Sequence, residues 1–345
     1  MPALPSIHNA SSIEEVRREL KLDPLVVRRM RAALMRDFRP DEEICARFPH
    51  ATRFRRSWLE LSQRVDSELD GASKLLLKNG RGLLLEAVIL RIATGRTTLC
   101  VSSQVGCAAA CDFCATGKMG IAQSLSVDEI LDQVVIAGRI VAAEQRRLRN
   151  IVFMGMGEPL HNEDSLFSAL ELLTSPAHFH HSPKRILVSS VGVTDGMLRL
   201  AERFPDVSQA LSLHSVRQPV REQLIPLARK HPLDELRETL RAVNARQSGP
   251  VMIEYLMLAE TNDSAEDASE LAAWLQGLKV HVNLIPYNPI EGSPNLRPSS
   301  SETIHAFSRS LRSAGLKATV RYSLGADIAA ACGQLVQRAN AGRSK

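Results

Sequence analysis

Three cysteines within one short stretch are the residues of this chain best suited to do chemistry. Cys107, Cys111 and Cys114 are spaced four and then three residues apart, shortly after an apolar run at 97–101. Cysteine thiolates are the usual ligands of iron–sulfur clusters, which normally take four of them. Three thiolates would leave one iron of a 4Fe–4S cluster open, and an open metal position is a site for chemistry. Taken alone, the spacing also fits a structural zinc site that lacks its fourth ligand, or three ordinary buried cysteines.

Two further cysteines and one glutamate are chemical candidates outside the motif. Cys100 lies seven residues before the motif and Cys332 lies near the C-terminal end, and either could be an ordinary core residue. Glu86 lies within the apolar segment 83–90. A carboxylate embedded in apolar sequence should be partly desolvated, which raises its pKa toward the range of a general base. The alternative for Glu86 is a solvent-facing side chain on an alternating strand.

The elements that must position these residues alternate between strand and helix. Apolar runs predict six strands, near 97–101, 151–155, 185–189, 209–213, 251–257 and 280–285. Helices are predicted between them, for example at 127–144 behind a capping box at 126–129, and at 233–246. Strands that alternate with helices indicate βαβ units and a parallel sheet, whose loops after the strands form the active site. A last run, 317–321, extends the predicted sheet.

The first part of the chain has a different pattern. Residues 11–70 predict short helices, with a capping box at 11–14 and a second helix that Asp23 precedes and Pro24 begins. The apolar segments on either side of Asn79-Gly80 then predict a hairpin with a tight primed turn. We therefore divide the chain into an N-terminal, mostly helical accessory domain, 1–80, and a core domain, 81–345.

Composition sets the limits for function. The chain has 345 residues, of which 44% are hydrophobic and 23% charged, as in ordinary globular proteins. The formal net charge of +5 is consistent with a polyanionic partner. Glu86 or Arg139 interrupts the longest apolar runs, so no membrane partner is expected, and the N-terminus has no signal-peptide pattern. Six irregularly spaced cysteines suit the reducing cytosol, so we expect a cytoplasmic protein.

An ordered set of motifs resembles one known family. The cysteine spacing is that of the radical S-adenosylmethionine (SAM) superfamily, and residues 100–117 resemble the RlmN/Cfr family of RNA adenosine methyltransferases. Four more motifs resemble this family: GMGEPL at 155–160, SLH at 212–214, NLIPYNP at 283–289 and AACGQL at 330–335. Each motif alone is weak, but the ordered set is specific. The resemblance implies an α/β fold, a partial (β/α)6 radical-SAM barrel preceded by a small, mostly helical N-terminal domain.

The resemblance also implies two cofactors, one 4Fe–4S cluster and SAM. Cys107, Cys111 and Cys114 would hold the cluster. The positions that match the SAM contacts of the family are Gly157, Glu158, Ser189, Ser212, Leu213, His214 and Asn288. Gly157-Glu158 is similar to the segment that receives the SAM amino group. Taken singly, these residues have ordinary interpretations, such as a loop turn for GMGEP and a core histidine for His214.

Three matching residues imply the course of the reaction. In the family, the position of Cys332 is methylated by one SAM, and a second SAM yields the radical that activates this methyl group for addition to adenine. Cys100 then releases the product by forming a disulfide, and Glu86 matches the general base. The implied substrate is an adenosine of 23S ribosomal RNA, methylated at carbon 2, with tRNA open as a second substrate. The expected electron donor is a protein such as flavodoxin or ferredoxin.

The arginines of the N-terminal part are candidates for RNA contact. They are Arg28, Arg29, Arg31, Arg36, Arg53, Arg55 and Arg56. A run of arginines is usually a solvated face. Beside an RNA-modifying core, contact with phosphates is the favoured interpretation.

Three alternatives stay open at this point. A Cfr-like enzyme would methylate carbon 8, and it is favoured by residues 189–192, which depart from the RlmN pattern, and by 204–207, which resemble Cfr. A different radical enzyme is the second, such as an activase or a methylthiotransferase. A methylthiotransferase would carry a second cluster, but Cys45, Cys100 and Cys332 form no clustered set. The third is a non-catalytic RNA-binding protein with a structural zinc.

Overall fold

The computed structural model describes residues 4–120 and 122–335. Its strands are β1 Leu59–Asp66, β2 Ala72–Asn79, β3 Leu84–Arg91, β4 Thr97–Cys100, β5 Gln104–Gly106, β6 Ala122–Ser124, β7 Leu148–Phe153, β8 Ile186–Ser190, β9 Ser208–Ser212, β10 Val251–Met257, β11 Val280–Pro286 and β12 Ala318–Val320. Its α-helices are α1 Ala10–Glu19, α2 Pro24–Met35, α3 Asp41–Arg47, α4 Val127–Ala143, α5 Glu163–Thr174, α6 Thr194–Arg203, α7 Gln218–Leu224, α8 Leu233–Arg246, α9 Ala265–Leu275 and α10 Ser301–Ser313.

One mixed sheet contains most of the strands in these residues, in the order β1-β2-β3-β4-β7-β8-β9-β10-β11-β12. From β4 to β12 every neighbouring pair is parallel, and helices connect the successive strands. All six predicted strands are present, and the run at 317–321 contains β12. The prediction of a partial barrel of parallel strands with helical connections is therefore confirmed.

Several helices begin where a side chain accepts a hydrogen bond from a free backbone N–H group. Ser126 accepts from the Glu129 N–H at 3.2 Å, and the Glu129 carboxylate accepts from the Ser126 N–H at 2.8 Å, which is the predicted capping box of α4. Asp23 caps α2, with Pro24 at its first turn, also as predicted. Within residues 4–120 and 122–335, no helix is long and apolar enough to cross a membrane.

Two details of the N-terminal prediction are wrong. Residues 59–66 are not helical but form β1, an edge strand whose side chains are mostly exposed. Exposure on both faces removes the alternation by which a strand is recognised in a sequence. The capping box expected at 11–14 does not form either, because α1 begins earlier. Asn9 caps it by accepting from the Ser12 N–H at 3.0 Å.

The predicted hairpin is present with a different turn. β2 and β3 pair antiparallel, as expected. The residue with a positive φ is Gly82 (φ +77°) rather than Asn79 or Gly80. Asn79 donates its N–H to the Leu83 carbonyl at 2.9 Å, so the strands are joined by a longer loop than a two-residue primed turn.

The N-terminal part packs continuously onto the barrel. The division between 1–80 and 81–345 stays a prediction, and it falls in the loop between β2 and β3, two neighbouring strands of the same sheet. Asp132 on α4 provides a specific link, since its carboxylate accepts from the Trp58 and Leu59 N–H groups at 2.7 Å each. Burial raises the pKa of Asp132 to about 6.

Candidate active site

The sequence motifs meet at the carboxyl ends of the parallel strands. The cysteine loop follows β4, and the C-terminal segment returns to it after β12. Two hydrogen bonds hold that return: the Ala115 N–H donates to the Gly333 carbonyl at 2.7 Å, and Thr116 Oγ1 donates to the Leu335 carbonyl at 2.6 Å. This end of a parallel barrel is where active sites form. The fold thus joins two motifs that lie far apart in the sequence.

The three thiols of the cysteine loop are partly or fully buried. Backbone N–H groups point at their sulfurs, for example from Ala109 toward Cys107 and from Gly117 toward Cys114, and such donors favour the thiolate. Burial outweighs these donors: it raises the pKa of Cys107 to about 12 and also raises the pKa of Cys111 and of Cys114. The free thiols therefore keep their protons until a metal displaces them.

The donor set fits an iron–sulfur cluster in chemical type. Charges on Cys107 and Cys114 both raise the pKa of Cys111, so the three sulfurs lie near one another. In the ranges that the structure describes, no three His, Cys, Asp or Glu side chains form a preformed metal site, so the loop would have to adjust around a cluster. A Cβ at Gly117 would lie 2.9 Å from the backbone N and O of Cys111, which explains the glycine.

A cavity of about 140 Å³ opens at the ends of β7 to β10. Five of the predicted SAM-contacting residues line it: Gly157, Glu158, Ser189, Ser212 and His214. Gly157 has a φ of +99°, and a Cβ there would lie 2.6 Å from the Gln104 Cβ. Only glycine fits this turn, which carries Glu158 to the cavity wall.

Glu158 is buried and held by the backbone. Its Oε1 accepts from the Leu160 N–H at 3.1 Å, and its Oε2 accepts from the Val191 N–H at 2.9 Å. Burial raises the pKa of Glu158 to about 7, although the two N–H donors oppose this shift. The carboxyl group can therefore change its charge near neutral pH.

His214 is neutral in this site. Its Nδ1 accepts from the Leu256 N–H at 3.1 Å, which leaves the ring proton on Nε2. Burial, followed by the charge of Arg221, lowers the pKa of His214 to about 3. The ring lies edge-on to Phe113 with centroids 4.7 Å apart, so His214 contacts the cysteine loop directly.

Two predicted SAM-contacting residues lie elsewhere. The Leu213 side chain is fully buried in the core, and its carbonyl accepts from Arg221. The Asn288 side chain donates to the Cys332 carbonyl and to Ser323 Oγ, both at 3.2 Å. Asn288 therefore holds the C-terminal segment in place in this structure, outside the lining of the 140 Å³ cavity.

A second cavity, of about 330 Å³, brings together Cys100, Cys114 and Cys332. Cys332 lines both this cavity and the one that contains Glu158 and His214. Cys100 lies opposite Val88 in the pairing of β3 with β4. Burial, and then the nearby Cys332, raises the pKa of Cys100 to about 12. The two cysteines that the sequence separates by more than two hundred residues thus face one cavity.

Glu86 lies on β3, two residues before Val88. Side chains two apart on a strand share a face, so Glu86 is on the face from which Val88 and Leu90 line the 330 Å³ cavity. Glu86 itself is not part of that lining. It is 2% exposed, and its Oε1 lies 3.5 Å from Lys74 Nζ. The solvent-facing interpretation is wrong, because the Glu86 side chain is buried within a largely buried strand.

Two charged residues of the site were missed in the sequence. Glu254 lines the 140 Å³ cavity and Arg321 lines the 330 Å³ cavity, with Arg321 Nη1 at 3.8 Å from Glu254 Oε2. Burial raises the pKa of Glu254, and the nearby Cys332 raises that of Arg321. A signal existed for both: Glu254 interrupts an apolar strand, and Arg321 directly follows β12.

Known proteins are similar to this chain in sequence and in fold. Residues 101–272 match the sequence model of the Radical SAM superfamily. A probable RNA methyltransferase of Rhodopirellula baltica is 56% identical over 343 residues, 99% of this chain and 90% of that protein. The dual-specificity RNA methyltransferase RlmN of Sorangium cellulosum is 39% identical over 79% of each chain. A crystal structure of a radical SAM methyltransferase from Sphaerobacter thermophilus, 36% identical, matches 96% of this chain and 99% of its own with a TM-score of 0.89. The chain therefore belongs to the RlmN/Cfr family of radical SAM RNA methyltransferases.

Proposed function

We propose that this enzyme methylates carbon 2 of an adenosine in RNA through a methylated Cys332. One observation carries the proposal: Cys332 lines both the cavity of the SAM-contacting residues and the cavity that contains Cys100. A carbon on this sulfur can be loaded from one cavity and delivered to a base in the other. Relatives named as RlmN RNA methyltransferases support RNA as the substrate, and the MGEP and LIPYNP motifs favour the RlmN-like outcome.

In this proposal Cys107, Cys111 and Cys114 would hold a 4Fe–4S cluster, and residues that line the 140 Å³ cavity would contact SAM. When bound, the cluster and SAM supply the electron and the radical chemistry that activate the methyl carbon. Ionised Glu158 would bind the ammonium group of SAM. The lowered pKa of His214 keeps its ring neutral at physiological pH. His214 therefore adds no positive charge beside SAM, which is itself positively charged.

Cys332 is needed because of the chemistry of adenine. Carbon 2 of the ring is electron-poor, so it does not attack the methyl group of SAM as a nucleophile. The Cys332 thiolate does, and it then carries the methyl carbon as a thioether. After loss of one hydrogen atom, this carbon adds to the ring as a radical. The adduct then gives up one electron to a one-electron acceptor and, with the loss of the ring proton, stays joined to Cys332 through a methylene group.

Release of the product needs a base and a second sulfur. Glu86 accepts the proton from the substituted ring carbon. The Cys100 thiolate attacks the Cys332 sulfur and forms a disulfide, and the bond from that sulfur to the methylene carbon breaks. The carbon keeps the electron pair and takes up a proton to become the methyl group. An external reductant then restores both thiols.

The N-terminal arginines offer a surface for the RNA backbone. Arg28 and Arg29 are exposed on α2. Arg36 and Arg56 are used inside the protein, since Arg36 donates to the Pro176 and His178 carbonyls, and Arg56 pairs with Asp41 at 2.9 Å. We assign the phosphate contacts to the exposed members, in an accessory domain formed by residues 1–80.

The test is anaerobic reconstitution with iron, sulfide, SAM and a flavodoxin or ferredoxin system, followed by mass analysis of the nucleosides of 23S ribosomal RNA and of tRNA. We expect 2-methyladenosine in 23S ribosomal RNA, and the tRNA sample decides whether tRNA is a second substrate. Product that is only 8-methyladenosine would contradict the carbon-2 assignment and favour the Cfr-like reaction. A colourless protein with zinc and neither iron nor sulfide would contradict the radical mechanism.

A further inference from the structure

Arg221 on α7 is a buried charge that has no carboxylate partner among residues 4–120 and 122–335. It is 0% exposed. Its guanidinium donates to three backbone carbonyls, those of Ser212 at 2.9 Å, Leu213 at 2.5 Å and Val191 at 2.6 Å. Its Nε is also buried and has no hydrogen-bond partner among the residues that the structure describes. A buried charge is costly unless an opposite charge compensates it, so the free chain lacks part of this environment.

The cysteine loop is where a negative charge could be placed to compensate Arg221. α7 packs against the same loop: the Asp112 N–H donates to the Leu224 carbonyl at 2.9 Å, and Leu224 shares a small core with Cys111. Three thiolates outweigh the charge of an oxidised 4Fe–4S core, so a bound cluster would be an anion beside Arg221.

The three carbonyls that Arg221 contacts belong to loops of the predicted SAM site. Ser212, the last residue of β9, and Leu213 belong to the SLH motif. Val191 is in the loop after β8, and its N–H donates to Glu158. One guanidinium therefore ties together two loops of the 140 Å³ cavity. Gly192 leaves room for it, since a Cβ there would lie 3.2 Å from Arg221 Nη2.

We propose that Arg221 is a positioning residue with two tasks: it is the fixed counter-charge of the iron–sulfur cluster, and it holds the two loops that bind SAM. Reduction makes the cluster more negative, so a nearby positive charge stabilises the reduced form and raises the midpoint potential. The inference rests on the proposed cluster site. Through its charge, Arg221 would make the cluster easier to reduce.

The test compares reconstituted holoenzymes by EPR-monitored redox titration and by SAM affinity. The variants are Arg221→Met and Arg221→Gln, which remove the charge, and Arg221→Lys, which keeps it. The control is Arg229→Met, which removes a 73% exposed charge eight residues further along the chain. We expect a more negative midpoint potential in both neutral variants, an unchanged potential in Arg229→Met, and a potential close to wild type in Arg221→Lys. The lysine variant should bind SAM more weakly, because one ammonium group cannot span all three carbonyls.

A wild-type midpoint potential in either folded neutral variant would overturn the inference. If neither neutral variant retains a cluster while Arg221→Lys does, the need for the charge is supported. Loss of the cluster in all three variants would assign Arg221 a packing role and overturn the counter-charge. Iron and sulfide content of the wild-type protein separates the two proposals: a wild type without a cluster refutes the proposed function itself, whereas unchanged potentials refute only the role of Arg221.

Discussion

The proposed methylation of Cys332 would change the electrostatic surroundings of Cys100. Burial and the neighbouring Cys332 both raise the pKa of Cys100, whereas Arg321 lowers it. Once Cys332 carries a carbon, its sulfur is a neutral thioether and no longer repels a negative charge on Cys100. Arg321 still lowers the pKa of Cys100. The Cys100 thiolate thus becomes easier to form at the stage where the proposed reaction needs it.

Replacing each cysteine should stop the reaction at a different point. Cys332→Ala removes the carrier sulfur, so we expect normal cluster content and SAM affinity but no methyl transfer. Cys100→Ala leaves loading and addition intact and removes the release step, so a covalent complex between RNA and Cys332 should accumulate. Denaturing gels and mass spectrometry detect this complex. Normal turnover in either variant contradicts the two-cysteine scheme.

SAM binding should depend on pH through Glu158. Its pKa of about 7 in the fold means that the carboxylate required for the ammonium group is only partly formed near neutrality. Affinity for SAM in the reconstituted enzyme should therefore rise as the pH increases through about 7. Titration calorimetry across this range measures the effect. Glu158→Gln is the matched control, since it should bind weakly and show no such rise.

The same carboxyl group affects stability in the opposite direction. The folded protein holds the Glu158 proton up to about pH 7, whereas the unfolded chain loses it near the ordinary value of 4.5. Between these values the folded state binds more protons, so the contribution of Glu158 to the free energy of unfolding falls as pH rises. The cofactor-free wild type should lose stability in this window relative to Glu158→Gln.

Among the elements, α4 connects the N-terminal part to the barrel. Asp132→Ala should lower the free energy of unfolding by about 2–4 kcal/mol, because the part-buried Trp58 N–H and the buried Leu59 N–H lose their acceptor. Urea unfolding of the cofactor-free protein measures this change. Glu15→Ala, at an exposed position on α1, should stay within about 0.5 kcal/mol of wild type. Equal stability of the two variants would show that Asp132 is not a structural link.

The exposed face of α2 should contribute to RNA affinity without taking part in chemistry. The double variant Arg28→Glu and Arg29→Glu should bind the RNA substrate at least about 10-fold more weakly, and its affinity should depend less on salt. Filter binding at several salt concentrations measures both effects. Arg309→Glu, an exposed charge change on α10, is the control. If this control weakens binding as strongly as the α2 variant, the assigned surface is wrong.

Across the whole molecule, buried strands and specific motifs were predictable, whereas exposed or non-local features were not. The apolar runs at 151–155 and 251–257 identified β7 and β10 because consecutive residues are buried in the second half of β7 and along nearly all of β10. β1 was missed because its exposed side chains do not alternate. The sequence does not identify Arg221 as a site residue, since an arginine in a short helix is usually solvated. Only the fold shows that Arg221 is buried. That Cys332 lines two cavities likewise depends on the path of the chain after β12.

The central claim is that Cys332 carries the carbon that becomes the new methyl group. The most direct measurement loads the reconstituted enzyme with SAM labelled in its methyl group, removes that SAM, and adds RNA with unlabelled SAM for one turnover. Mass analysis should then find the label in the methyladenosine product and, before RNA is added, on the peptide that contains Cys332. An unlabelled product from an enzyme with labelled Cys332 would contradict the account.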